Sequence, residues 1–173
     1  CIIDPKEIKQ EDKRHEYGDI FWEKRKRKGI TQFEARKLMR ERNYYGSMMV
    51  EMGDADALIS GITRNYRATV KPALEVIGKE EGVNNVVGMY IMRTKKGTLF
   101  LADTTINLDP TAEEIADMSI MIAKKVKQFR IKPRIALLSY SNFGSTRTKD
   151  SKKMAKAAAI LKEENPNLVV DGE

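Results

Sequence analysis

The stretch that decides the fold is Met52-Gly53-Asp54-Ala55-Asp56-Ala57-Leu58-Ile59-Ser60-Gly61-Ile62-Thr63-Arg64-Asn65-Tyr66. Its apolar run, residues 57–60, predicts a short buried β-strand. Gly61 then relaxes the backbone, and Thr63 or Asn65 can cap a helix over residues 66–77. A strand, a polar turn and a helix in this order indicate an α/β fold.

The same turn has the chemistry of an anion site. The amides in the first turn of the predicted helix carry partial positive charge, and Arg64 adds a full one, so a phosphate or a carboxylate is the expected ligand. In the alternative interpretation, Thr63 and Asn65 only cap the helix and Arg64 is a solvated surface side chain. This segment alone does not decide between the two.

A second turn of similar character lies further along the chain. The apolar strand at residues 135–138 runs into a loop rich in serine and glycine at 139–147, and a helix is predicted at 152–164. Arg147 and Lys149 supply charge, but the Gly-Lys-Ser/Thr ending of a Walker loop is absent. Such loops are often structural turns. Two of them, each at the carboxyl end of a strand, match the edge where open α/β sheets bind ligands.

Composition limits the possible functions. The chain has 173 residues, of which 41% are hydrophobic and 33% charged, enough for one core or two small ones. No apolar run reaches the roughly 20 residues of a membrane span, so we expect a cytoplasmic protein without a membrane partner. Cys1 is the only cysteine and His15 the only histidine. These counts exclude an intrachain disulfide and a cysteine-rich zinc site, and they disfavour a Ser-His-Asp triad; we expect His15 to be solvated.

The net charge of +7 suggests a polyanionic partner. The densest basic run, residues 24–28, is compatible with a nucleic-acid patch, a localisation signal or a solvated helix end. Tyr17, Phe21 and Trp22 precede this run at helical spacing and are predicted to lie in the core. No nucleic-acid-binding signature is present, and a polyphosphorylated small molecule would satisfy the same charge.

The remaining helices and strands are predicted from hydrophobic periodicity and from the capping and turn residues between them. One helix is predicted at residues 16–28 and ends near Gly29. A second begins at a capping box at Thr31 and runs toward residue 43; it either continues to residue 52 or is followed by another helix that ends there. Residues 78–85 are the expected crossing between domains. Strands are predicted at 86–92, 98–103 and 134–139, with a hairpin turn at 94–97. A helix beginning near Pro110 has apolar residues at three- and four-residue steps, namely Ile115, Met118, Ile122, Val126 and Phe129.

Several segments together resemble the phosphate acetyltransferase family, with matching order and spacing over about residues 16–173. They are Arg25-Lys26-Arg27-Lys28-Gly29-Ile30-Thr31, Met48-Met49-Val50, Gly53-Asp54-Ala55-Asp56-Ala57, Lys71-Pro72-Ala73-Leu74, Ala102-Asp103-Thr104, Pro133-Arg134-Ile135-Ala136-Leu137-Leu138-Ser139-Tyr140-Ser141 and Asp171-Gly172-Glu173. The variants at 62–66, 94–97 and 141–145 resemble the carboxyl-terminal domain of large bacterial NADP-dependent malic enzymes.

The resemblance implies an α/β, three-layer αβα sandwich with two lobes, similar to the isocitrate dehydrogenase type of fold. Residues 1–80 would form part of the first lobe and residues 81–173 part of the second, with an acyl-CoA and phosphate cleft between them. The chain would then be a fragment, and the family's catalytic segment would lie beyond Glu173. We therefore assign no catalytic residue and no metal ligand in this chain.

The resemblance also nominates ligand-binding residues. Arg25 aligns with an arginine that active transferases use near the coenzyme A and phosphate groups, and Lys71 stands where they have a second arginine. Lysine keeps the charge but loses the planar fork that grips phosphate at two points. The candidate acyl-CoA and phosphate ligands are Arg25, Ser60, Thr63, Arg64, Lys71, Ser139, Ser141, Asn142, Gly144, Ser145 and Arg147.

The resemblance leads to one preferred functional hypothesis. The chain would belong to the acyl-CoA-binding domain of a multidomain NADP-dependent malic enzyme, where it senses acetyl-CoA and supports a homo-oligomer. The parent would oxidatively decarboxylate malate with NADP and Mg²⁺ or Mn²⁺ on a separate module, and the isolated fragment would be inactive. One alternative is a free-standing phosphate acetyltransferase, which converts acetyl phosphate and CoA to acetyl-CoA and phosphate. A nucleic-acid-binding module is the least favoured.

Overall fold

The structure, a computed structural model, describes residues 2–103, 105–142 and 144–172. Cys1, Thr104, Phe143 and Glu173, which the sequence arguments above include, lie outside the described residues. The chain divides into two compact units, Cys1–Glu81 and Gly82–Glu173. Helices and strands are both present, so the α/β class is confirmed.

The regular structure of the first unit, over its described residues 2–81, consists of helices joined by turns and irregular segments. Its helices are α1 (Glu11–Arg25), α2 (Gln32–Leu38), α3 (Arg42–Glu51) and α4 (Tyr66–Val76), with short 3₁₀ turns at Ile8–Gln10 and Lys26–Lys28. The predicted helices are therefore confirmed, although α1 begins earlier than expected and the region 31–52 forms two helices. Gly29 ends the basic 3₁₀ turn with φ 87°, a left-handed conformation that favours glycine.

The core of this unit is built mainly from large side chains of α1 and α3, with Val76 of α4 buried among them. Tyr17 and Phe21 of α1 are almost fully buried, as predicted, and Trp22 packs partly buried beside them. Phe21 meets Tyr44 of α3 edge-on, with ring centroids 5.6 Å apart. His15 is exposed, as expected. The aromatic residues before the basic run therefore belong to the core, where they stabilise the packing of α1 on α3.

The prediction of a strand at residues 57–60 is wrong. This segment is irregular, and Leu58 and Ile59 are 41% and 98% exposed. A strand needs a neighbouring strand to pair its backbone amides and carbonyls, and the described residues of this unit include none. The helix that follows was predicted correctly: Asn65 caps α4, its Oδ1 accepting a hydrogen bond from the Ala68 amide at 2.8 Å.

Side-chain hydrogen bonds cap the start of α2 and fix the helix against α1. Thr31 and Glu34 form the predicted capping box, in which each side chain accepts from the other residue's amide. Asp19 of α1 accepts two hydrogen bonds from the Arg36 guanidinium at 2.7 Å each and one from Gln32 at 2.9 Å. The paired guanidinium, helped by the Gln32 amide, lowers the pKa of the Asp19 carboxyl to about 2.

This carboxylate predicts a pH dependence of stability. Because the pKa of Asp19 is lower in the folded state, its contribution is fully present above about pH 4–5, the upper end of an ordinary aspartate titration, and is lost as the pH falls toward 2. The Asp19→Asn variant should be less stable than the wild type at pH 7, by under about 1 kcal/mol because the pair is partly exposed. Thermal unfolding of both proteins from pH 7 to 2 checks this, and a difference that stays constant to pH 2 would contradict it.

The described residues of the second unit form two helices and two small sheets. Strands β1 (Met89–Thr94) and β2 (Gly97–Ala102) form an antiparallel hairpin in which Met89 pairs with Ala102, and its turn lies at the predicted residues. Strands β3 (Arg134–Leu137) and β4 (Val169–Gly172) are parallel. Helices α5 (Ala112–Gln128) and α6 (Lys149–Glu164) complete the unit.

The apolar face of α5 packs largely as predicted. Ile115, Met118 and Val126 are buried, whereas Phe129, just past the end of the helix, is about half exposed and rests on Phe100 of β2 with ring centroids 5.5 Å apart. Small residues of α6, together with Leu161, complete this core. Among the described residues, no helix has both the length and the apolar character needed to cross a membrane.

Candidate functional site

An open groove of about 720 Å³ lies on the first unit. The end of α1, the basic turn and Gly29, α2, the beginning of α3 and the middle of α4 contribute its walls. Its lining residues are Lys6, Phe21, Arg25, Lys28, Gly29, Ile30, Glu34, Lys37, Leu38, Arg40, Glu41, Tyr44, Lys71 and Glu75. The groove therefore includes Arg25 and Lys71, two of the eleven candidate ligands.

These two cations converge on one carboxylate. Arg25 Nη2 lies 3.6 Å from Glu75 Oε1, and Lys71 Nζ lies 3.8 Å from the same oxygen. The other oxygen, Glu75 Oε2, accepts a hydrogen bond from the Tyr44 hydroxyl at 2.5 Å. Side chains from α1, α3 and α4 thus meet at a single anionic group.

Tyr44 acts as a permanent donor in this cluster. The residue is 7% exposed, and burial, followed by its hydrogen bond to Glu75, raises the pKa of the phenol well above its ordinary value. The edge-on contact with Phe21 fixes the ring from the side. The phenol therefore keeps its proton at physiological pH and presents an O–H group to an anion.

The groove has more cations than its carboxylates can neutralise. Glu34 is engaged in the capping box, Glu41 Oε2 pairs with Arg64 Nη1 at 2.9 Å, and Glu75 serves the cluster just described. Within the described residues, none of the four remaining basic side chains forms an ion pair; they are Lys6, Lys28, Lys37 and Arg40. A groove of this kind attracts a ligand with several negative charges.

The turn quoted first lies outside this groove. Arg64 reaches only its edge, through Glu41, while Ser60 donates a hydrogen bond to Asn43 Oδ1 at 2.7 Å and Thr63 is exposed. None of these three side chains lines the groove. The structure therefore brings together Arg25 and Lys71 but does not join Ser60, Thr63 or Arg64 to them.

The other candidates lie in the loop between β3 and α6 of the second unit. The hydroxyl oxygens of this loop accept hydrogen bonds from its own amides: Ser139 from Ser141 N at 3.0 Å, and Ser145 from Asn142 N at 3.1 Å. Gly144 adopts φ 71°, and Arg147 is exposed. Much of the loop's polar capacity therefore stabilises the turn itself.

Sequence reasoning missed Glu75 and Tyr44, the other two members of the cluster that includes Arg25 and Lys71. Glu75 lies one helical turn after Lys71, a spacing that predicts an ion pair and could have drawn attention to it. Tyr44 has no comparable signal, because only the packing of α3 on α4 brings it to Glu75. In the described part of the chain, no group of three or more His, Cys, Asp or Glu residues could hold a metal ion. The surplus of basic side chains described above suits the groove to binding an anion.

The comparisons with known proteins agree with this chemistry. The family model described as phosphate acetyl/butaryl transferase matches residues 2–173. The chain belongs to this family.

Relatives of two kinds resemble the chain. It is 40% identical to a phosphate acetyltransferase from Bacillus subtilis over 88% of its length and 47% of the relative's. It is 39% identical to an NADP-dependent malic enzyme from Escherichia coli over 91% of its length, but this is only 21% of that relative. A solved phosphotransacetylase from Streptococcus pyogenes superposes with a TM-score of 0.81 at 37% identity, covering 99% of this chain and 52% of that one. The chain therefore has a phosphotransacetylase-type fold. It spans about half the length of these two transacetylases and about a fifth of the malic enzyme.

Proposed function

We propose that this chain forms part of the acyl-CoA and phosphate-binding domain of a multidomain NADP-dependent malic enzyme, where it senses acetyl-CoA. The observation that carries the proposal is the convergence of Arg25 and Lys71 in a groove with surplus positive charge. Family membership supports the choice of a CoA ligand. The proposal retains the cytoplasmic location and the homo-oligomer predicted from the sequence.

The groove fits the chemistry of an acyl-CoA. The phosphate groups of coenzyme A need cationic donors, which Arg25, Lys71 and the unpaired basic side chains supply. Its uncharged portions need apolar surface, and Ile30 and Leu38 provide some on the wall beside these cations. We propose that Arg25 binds phosphate through its planar guanidinium and that Lys71 contributes a point charge.

The proposal includes the two lobes predicted from the sequence. We propose that the unit Cys1–Glu81 corresponds to part of the first lobe and the unit Gly82–Glu173 to part of the second. The loop residues Ser139, Ser141, Asn142, Gly144, Ser145 and Arg147 in the second unit remain proposed acyl-CoA or phosphate ligands, as do Ser60, Thr63 and Arg64 in the first. NADP, Mg²⁺ or Mn²⁺ and malate would bind the separate malic enzyme module.

A free-standing phosphate acetyltransferase is the second candidate. The relatives of the two kinds are almost equally similar, at 40% and 39% identity, so sequence identity supports both. Nucleic-acid binding has less support, because the basic run is largely engaged: Lys24 pairs with Glu51, Lys26 with Glu23 at 2.6 Å, and Arg25 with Glu75. We therefore retain only the two CoA-linked functions.

Calorimetric titration of acetyl-CoA into the full-length protein tests the proposal. Malate oxidation and acetyl phosphate formation are assayed on the same preparation. Binding that changes malate oxidation without acetyl phosphate turnover is the expected result. Turnover of acetyl phosphate, with no malate oxidation, would establish the transferase instead, and the absence of acetyl-CoA binding would contradict both.

A further inference from the structure

The donors around Glu75 form a complete anion-binding set. A guanidinium from the end of α1, an ammonium from α4 and a phenol from α3 all face one carboxylate. Charged and neutral donors converging in this manner are what a bound phosphate group requires. The Glu75 carboxylate therefore occupies a position that suits the anionic group of a ligand.

We propose that Glu75 is an internal substitute for a ligand phosphate, which displaces it, and that Tyr44 then donates its hydrogen bond to the ligand. This inference rests on the proposed function, in which the groove binds acyl-CoA or inorganic phosphate. It adds Tyr44 as a binding residue and gives the groove an intramolecular competitor. The competitor sets the phosphate concentration at which the groove fills.

The contact geometry supports displacement. At 3.6 and 3.8 Å, the contacts of Glu75 with Arg25 and Lys71 are longer than hydrogen bonds, so most donors of both cations are not committed to this carboxylate. The Tyr44 hydroxyl, by contrast, holds it at short range. A phosphate group presents more charge and more acceptor oxygens than one carboxylate, so it attracts both cations more strongly.

The burial of Tyr44 explains why a ligand must replace Glu75. A hydroxyl this little exposed is destabilised when it lacks an acceptor, so the departure of Glu75 is favoured when another acceptor takes its place. A phosphate oxygen near Arg25 and Lys71 would accept the same hydrogen bond. The phenol therefore couples the departure of the carboxylate to the arrival of the ligand.

A fixed Glu75 would have the opposite effect on binding. If the carboxylate stayed in place and only oriented Arg25 and Lys71, its removal would release both side chains and weaken phosphate binding. If it competes with the ligand, its removal strengthens phosphate binding. The sign of the change in affinity therefore separates positioning from competition.

The test measures binding of inorganic phosphate and of acetyl-CoA to the full-length protein by calorimetry. Glu75→Gln keeps the side-chain volume and removes the charge, so phosphate should bind roughly 3- to 10-fold tighter, the sum expected from losing two partly exposed ion pairs. The Tyr44→Phe substitution, added to Glu75→Gln, should reverse most of that gain. Unchanged or weaker phosphate binding by Glu75→Gln would overturn the proposal.

Two further variants serve as a control and as a second test of competition. Glu51→Gln removes one negative charge from an ion pair outside the groove, with Lys24, and should change phosphate affinity less than twofold. Glu75→Asp retains the charge but shortens the side chain, so it withdraws from Tyr44 and should also tighten phosphate binding. This variant decides the question if Glu75→Gln does not fold, as judged by its thermal unfolding.

The two proposals fail in different ways. A wild-type protein that binds neither acetyl-CoA nor phosphate overturns the proposed function together with this inference. A wild-type protein that binds acetyl-CoA through Arg25, but gains no phosphate affinity from Glu75→Gln or Glu75→Asp, overturns only the inference. Tighter binding of phosphate but not of acetyl-CoA would identify inorganic phosphate as the competing ligand.

Discussion

Replacing Arg25 with alanine is expected to weaken acetyl-CoA binding by about 10- to 100-fold, the range that corresponds to losing a hydrogen-bonded charged donor. Arg25 is half-buried at the end of α1 and lines the groove, where its guanidinium meets the Glu75 carboxylate. Arg25→Lys keeps the charge but not the fork, so an intermediate loss is expected. Calorimetric titration of the full-length variants with acetyl-CoA provides the measurement.

Arg27→Ala is the matched control for this prediction. Arg27 belongs to the same basic run and has the same charge, but it is exposed and does not line the groove. Its removal should change acetyl-CoA affinity less than twofold. Equal losses for Arg25→Ala and Arg27→Ala would show that only the general basic charge matters, and would return nucleic-acid binding to consideration through a salt titration with an oligonucleotide.

The second large effect is expected from Gly18→Ala in the middle of α1. A Cβ at this position would lie 2.7 Å from both Cα and Cγ of Arg36, so it would collide with the backbone of α2. Helix propensity alone favours alanine by about 1 kcal/mol, but forcing apart two packed helices costs typically 1–3 kcal/mol and more where backbone must move. Because the contact is with backbone, we expect a net loss of about 1–2 kcal/mol and a thermal midpoint lower by several degrees in calorimetry.

Gly46→Ala in α3 separates this clash from a general effect of alanine. The added Cβ would lie 2.8 Å from Leu58 Cδ1, the end of a flexible side chain in an irregular segment. Leu58 can rotate away, so Gly46→Ala should be neutral or slightly stabilising. A stabilised Gly18→Ala variant would contradict the close packing of α1 on α2.

Local signals in the sequence predicted most of the helices. Thr31 with Glu34, and Asn65, mark helix beginnings through hydrogen bonds within three residues, and Gly29 marks a helix end. The prediction of a strand at residues 57–60 was wrong because strand formation does not depend on local signals alone. A strand depends on a partner distant in sequence, and no strand is present in the described residues of the first unit to pair with it.

The candidate site was predictable only in part. Arg25 and Lys71 were nominated by resemblance to a family, since a basic run or a single lysine carries no such information alone. Glu75 could have been paired with Lys71 from their spacing on one helix. Tyr44 joins them only through the packing of α3 against α4, which periodicity does not encode.

The parallel pairing of β3 with β4 has a kinetic consequence. The hairpin closes across Lys95 and Lys96 alone, whereas Arg134 can reach Val169 only after the whole of α6 has been traversed. Hairpins form within about 1–10 μs, but closing a longer loop costs more chain entropy before its contacts compensate. The strand Val169–Gly172 should therefore join the second unit late, when α6 is already helical and can carry the two strands together.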